Sequence, residues 1–125
     1  MLGRYRIVRG ARGSDDPLPE GVRQDTRKHT RHVLRPSAEM VAAFFEQPGE
    51  AGFRRFRSTY LKLLQERFRS QRAEFDALAE LAQQRDVFLG CNCPTAKQPD
   101  VHHCHTYLAL GFLAEHYPGL NVSWP

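Results

Sequence analysis

The chain has 125 residues, a formal charge of +4 from 18 basic and 14 acidic side chains, and 41% apolar residues against 26% charged ones. That balance fits a folded globular protein rather than a disordered one, most simply a single domain spanning residues 1–125 and large enough to bury a core. No apolar stretch approaches the roughly 20 residues that a membrane-spanning helix needs. Charge arrives at Arg4, too early for a secretory leader, so a cytoplasmic protein without a membrane partner is expected.

In chain order, Tyr5–Val8 alternates weakly and predicts an opening strand. Residues 10–21 carry Gly10, Gly13, Pro17, Pro19 and Gly21 and predict a flexible loop. Val22 to Arg35 has few apolar residues and predicts surface chain with at most one edge strand. Ser37 is placed to cap a helix through Met40, Val41, Phe44 and Phe45, which Pro48-Gly49 stops. Apolar residues recur at three and four from Phe53 to Ser70, and a further helical segment runs from Phe75 to about Arg85, with the break near Gln71 left open.

Val87–Gly90 is the strongest strand signal: a short apolar run after a helix suits a buried parallel strand. Asp100 is a candidate cap, a last helix carries Tyr107 to Leu113, and Leu120–Trp124 is a candidate terminal strand. The expected fold is a small three-layer α/β domain with a mostly parallel sheet and flanking helices.

All three cysteines and three of the six histidines fall between Cys91 and His105. In parallel sheets ligands collect beyond the carboxyl ends of the strands, where Cys91 and Cys93 stand. Two chemistries fit. As thiol chemistry, Cys93 is the first nucleophile candidate, with His105 and His102 as acid or base. Cys104, Lys97, Arg23 and Arg27 would then contact a small anionic or nucleotide-like ligand. As a metal centre, Cys91, Cys93 and Cys104 with His102, His103 or His105 supply enough donors for zinc or iron, although Cys-x-Cys is tighter than the usual pair spacing. Singly, each residue is more simply structural: a reduced cysteine packs as a small hydrophobe.

Basic residues cluster at Arg23–Arg35 and Arg54–Arg72, which admits nucleic acid as a partner; equally, they are solvated faces. No P-loop, no Gly-rich dinucleotide pattern, no His-Glu-x-x-His and no Cys-x-x-Cys occurs. The sequence leaves the oligomeric state open.

Val87-Phe88-Leu89-Gly90-Cys91-Asn92-Cys93 and His103-Cys104-His105-Thr106-Tyr107-Leu108-Ala109 resemble domain-of-unknown-function family 488. That family joins a strand ending in cysteine to a Cys-His-Arg element opening a helix. Thr106 stands where its arginine would be. Leu34-Arg35-Pro36-Ser37 is similar to the family's Ala-Pro-Ser helix entry, and Phe53–Leu64 to its aromatic-basic segment. The resemblance covers about Arg27 to Pro118. Gly90 through His105 is also similar to a related group that combines Gly-x-x-Cys-x-Cys-Pro with Cys-His. Both imply a small α/β domain with a pocket at Cys93, Cys104 and His105, and neither implies a reaction.

Overall fold

The structure is a computed structural model describing residues 1–125. Its elements are β1 (Leu2–Arg6), β2 (Val22–Asp25), α1 (Ala38–Glu46), α2 (Glu50–Ser70), α3 (Arg72–Gln84), β3 (Val87–Cys91), a 3₁₀ turn (Val101–His103) and α4 (His105–His116). The sheet is all parallel, in the order β1-β3-β2. This is the α/β class that the sequence implied.

The central position of β3 follows from its residues. Val87 and Leu89 are fully buried on the face that meets the helices, and Cys91 continues that alternation. The core they join draws on Phe44 of α1, Phe56, Tyr60 and Leu64 of α2, Phe75 and Leu78 of α3, and Leu108 to Leu113 of α4. Phe88 points the other way, toward Met1, Gly3 and Gly21. On that side the third layer is irregular chain rather than helix. The 10–21 segment folds back so that Arg12 donates to the Arg6 carbonyl, and Pro17 and Pro19 share a cleft with Tyr5.

Gly90 is required for packing rather than for its dihedrals. A Cβ there would lie 2.7 Å from the Tyr5 ring and 2.8 Å from Ile7 Cδ1. At Gly52 a Cβ would sit 1.7 Å from the Gln47 carbonyl oxygen, so only glycine lets α2 begin hard against the end of α1.

Ser37 caps α1 as expected, its Oγ accepting the Met40 amide at 3.1 Å. The break at Gln71 is real: its φ of −130° leaves helical space, and α2 and α3 are separate helices. Two strands depart from expectation. β1 starts earlier, at Leu2, because Leu2 is fully buried and pairs with Val87; Ile7 contributes only an amide to the Cys91 carbonyl. The C-terminal strand shrinks to one parallel bridge, Leu2 to Val122, because pairing ends at Ser123 ahead of Trp124-Pro125. No helix is long and apolar enough to cross a membrane.

Candidate functional site

Three chain segments meet at the carboxyl end of β3. Strand parity turns Cys91 toward the helices, and the chain leaving the strand brings Cys93 back beside it, their sulfurs 3.9 Å apart. After the 95–100 loop, Cys104 occupies the N-cap of α4. The three sulfurs lie within 4.8 Å of one another, and no histidine nitrogen belongs to that trio. All three thiols are free. Cys104 is 1% exposed and Cys93 7%, with Cys91 half-buried.

Cys104 is the most heavily solvated by protein donors. The Thr106 hydroxyl donates to Cys104 Sγ at 3.2 Å, and its oxygen accepts Arg4 Nε–H at 2.8 Å. The other guanidinium edge of Arg4 donates to the Cys93 carbonyl at 2.7 Å. Interaction with Cys91 and Cys93 holds Cys104 well below the ordinary thiol range, against the opposing effect of burial, and the Thr106 hydroxyl adds to it. Cys93 is pushed the other way, first by its bond to Cys104, then by Cys91 and burial. Within the trio, the two shifts run in opposite directions, Cys104 down and Cys93 up.

The tautomer of His105 follows from its neighbours. Thr26 gives its one hydroxyl proton to the Gly90 carbonyl at 3.0 Å, so its oxygen accepts from His105 Nε2 at 2.8 Å. Nε2 therefore bears the hydrogen, and Nδ1 presents a lone pair 3.8 Å from Cys104 Sγ. Tyr60 packs edge-on against the same ring and donates to the Leu34 carbonyl at 2.6 Å.

The three cysteines and His105 form one end of a cavity of about 200 Å³. Phe44, Phe56 and Val41 make its apolar wall, and Arg27, Lys28 and His29 stand at its polar side. Arg27 grips Asp25 with Nε and Nη2 at 3.0 and 2.7 Å and reaches Asn92 Oδ1 at 3.4 Å. That grip, chiefly the side-chain hydrogen bond, lowers the Asp25 carboxyl and raises the Arg27 guanidinium. A second cleft shares Arg27, Phe45, Asn92 and Thr95 with the first and is lined also by Arg9 and Lys97. It forms an outer vestibule to the inner cavity.

The structure thus brings together Cys91, Cys93, Cys104, His105 and Arg27, with Lys97 in the vestibule. It leaves the others apart. Exposed His102 bonds to Asp100 through Nδ1 at 3.0 Å. His103 stacks on Phe53 with ring centroids 4.3 Å apart. Arg23 donates to the Pro19 carbonyl at 3.0 Å on the surface and does not line the cavity. Several cations of the two basic clusters have structural partners: Arg67 is buried against the Val33 and Arg35 carbonyls, and Arg72 lies over Phe68 and pairs with Asp76.

Sequence reading missed Arg4, Thr26 and Thr106. Thr106 was noted only as a departure from an expected arginine, yet a guanidinium does reach that place, delivered by β1. A polar residue at alternate positions from buried Leu2 was the one available signal for Arg4.

Fold and site define an α/β protein with a thiol-floored cavity at the carboxyl ends of a parallel sheet. The chain belongs to the DUF488-N3a family, described as the active DUF488-N3 subclade, whose model matches residues 8–117. The match reaches further toward the N-terminus than the Arg27 start of the resemblance seen in sequence, and leaves Arg4 outside it. No curated protein and no solved structure matches the chain.

Proposed function

We propose that the protein is a cysteine-dependent enzyme that takes a small anionic ligand bearing a flat ring, of nucleotide-like character, into the cavity and attacks it with Cys104. The observation that carries this reading is the placement of Cys104. It sits on the cavity floor at the N-terminus of a twelve-residue helix, and the Thr106 hydroxyl donates to it at 3.2 Å. Free amides and the helix dipole favour a thiolate there. Cys104 is favoured over Cys93 as the nucleophile because it alone stands at the N-terminus of a helix, takes the Thr106 hydroxyl bond and lies 3.8 Å from His105 Nδ1.

In the step proposed, the Cys104 thiol proton passes to His105 Nδ1. The sulfur then forms a bond to an electrophilic carbon of the ligand. The leaving group departs with the bonding electron pair and takes the proton back from Nδ1. Water later breaks the S–C bond and regenerates the thiol. His105 suits this role better than His102, whose ring is turned to solvent. Phe44 and Phe56 would hold the ring, and Arg27 and Lys28 the anionic group, with Arg9 and Lys97 of the vestibule steering it inward. Unbonded thiols this close together require a reducing setting, in keeping with the cytoplasm.

The test uses bromoacetate, an anionic thiol reagent, and nucleoside monophosphates as probes. The expected result is selective alkylation of Cys104, slowed by a monophosphate more than by adenosine or inorganic phosphate, with protection weakened at least tenfold in Arg27→Gln. Modification of Cys91 or Cys93 in preference to Cys104, or no protection by any of the three probes, would overturn the reading.

A further inference from the structure

We infer that Cys91, Cys93 and Cys104 form a site for one thiophilic divalent cation of the zinc class, with a fourth coordination position open to the cavity. The inference goes beyond the covalent reading and stands on different observations. Sulfurs bound to tetrahedral zinc at about 2.3 Å lie about 3.8 Å apart. Cys91 and Cys93 are already 3.9 Å apart, and every pair of the trio is within 4.8 Å. A disulfide would need about 2.05 Å, so the spacing is that of three ligands around a centre rather than of a bonded pair.

Ordinary packing explains the trio less well. Three adjacent sulfurs share only the Thr106 hydroxyl, the His105 imidazole and one another as polar company. Burying more than one of them as thiolate is unfavourable without a compensating cation. The donor set also selects the ion: three sulfurs and no carboxylate exclude magnesium and calcium and favour a soft or borderline metal.

Two further details complete the site. All three cysteines line the same cavity, which gives the ion an entry path and leaves room for water or a small ligand in the fourth position. The ligands come from both sides of the 95–100 loop, and that loop is closed on itself by reciprocal Thr95 and Gln98 backbone bonds at 3.0 and 3.1 Å. Gln98 Nε2 then donates to the His103 carbonyl at 2.7 Å, holding the two ligand-bearing segments together. His102 and His103 take no part. With the cation bound, the Cys104 lone pair is occupied, so the site would also switch off attack by Cys104.

The experiment titrates the fully reduced, chelator-treated chain with Zn²⁺ and Co²⁺. One equivalent of each should bind. Co²⁺ should give thiolate-to-cobalt charge-transfer absorption with the intense visible bands of four-coordination, and Zn²⁺ should suppress bromoacetate labelling of Cys104. Cys93→Ser and Cys104→Ser should each lower zinc affinity by about 100-fold or more, while His102→Ala and His103→Ala leave it unchanged. Wild-type protein that gives no charge-transfer band, or a band abolished by the His102 or His103 change, would overturn the site. The wild-type and histidine arms decide it even if a serine variant fails to fold. Labelling that phosphates do not slow, in a chain that still binds cobalt tightly, would sink the covalent reading alone.

Discussion

Thr26 is a fully buried threonine whose hydroxyl is shared between a strand carbonyl and an imidazole. Both bonds are made inside protein, where an unpaired donor costs more than a made bond gains. Thr26→Val keeps the shape and removes both, leaving the His105 Nε2–H without its acceptor. It should lower unfolding free energy by about 1–3 kcal/mol in a urea titration. A loss below about 0.5 kcal/mol would mean that His105 adopts the other tautomer at no cost. Residues of this kind are the part of the site that sequence does not display. The cysteines announced themselves by clustering at a strand end and a helix start, and that cue needs no long-range information. Thr26 and Arg4 act across 79 and 102 positions of chain, and apart from the strand alternation at Arg4 nothing local distinguishes them from solvated polar residues.

At the scale of elements, caps and close approaches decide the boundaries. Ser37→Ala removes the acceptor for the Met40 amide and should cost about 1 kcal/mol, visible as a lower denaturation midpoint at unchanged slope. Gly52→Ala should cost far more, because a Cβ 1.7 Å from a carbonyl oxygen forces α1 and α2 apart. These two helices also supply Val41, Phe44 and Phe56 to the cavity, so that variant should lose phosphate protection of Cys104 as well as stability. The helices were legible from period and caps, whereas β2 was one of two readings left open for the Val22–Arg35 stretch. The start of β1 was not legible, because its limit is set by pairing with β3. Leu2 is a core residue only by virtue of a partner 85 positions away, Val87.

Taken whole, the molecule should be less stable in acid, and the main cause is a histidine outside the cysteine cluster. His32 Nδ1 accepts the Leu34 amide at 3.1 Å, so its Nε2–H donates to Gln24 Oε1 at 2.6 Å, and the neutral ring satisfies both. Burial lowers its pKa to about 4; His105 and Arg35 act in the same direction, and Asp25 opposes them. The folded state therefore binds the proton less well than the unfolded chain, whose histidine titrates near 6.5. The stabilisation is fully present above pH 6.5, and it is lost as pH falls through about 4; its size is on the order of 3 kcal/mol. The lowered Asp25 adds a further decline at pH values below 3.8. Unfolding curves between pH 7 and 4 should show this fall, and His32→Gln should flatten it. A variant that keeps the full slope would assign the acid sensitivity elsewhere.

Because sulfur rather than an oxygen residue starts α4, events at Cys104 act on a helix that supplies Leu108, Ala109, Leu110, Phe112 and Leu113 to the interior. Whatever occupies that sulfur is held against the first turn of the helix, where the Thr106 hydroxyl already meets it. Occupancy of the site would then be readable at a distance, as altered hydrogen exchange along the helix and a changed lifetime toward proteases. In such a molecule the chemistry of one atom and the durability of the whole chain are not separately adjustable.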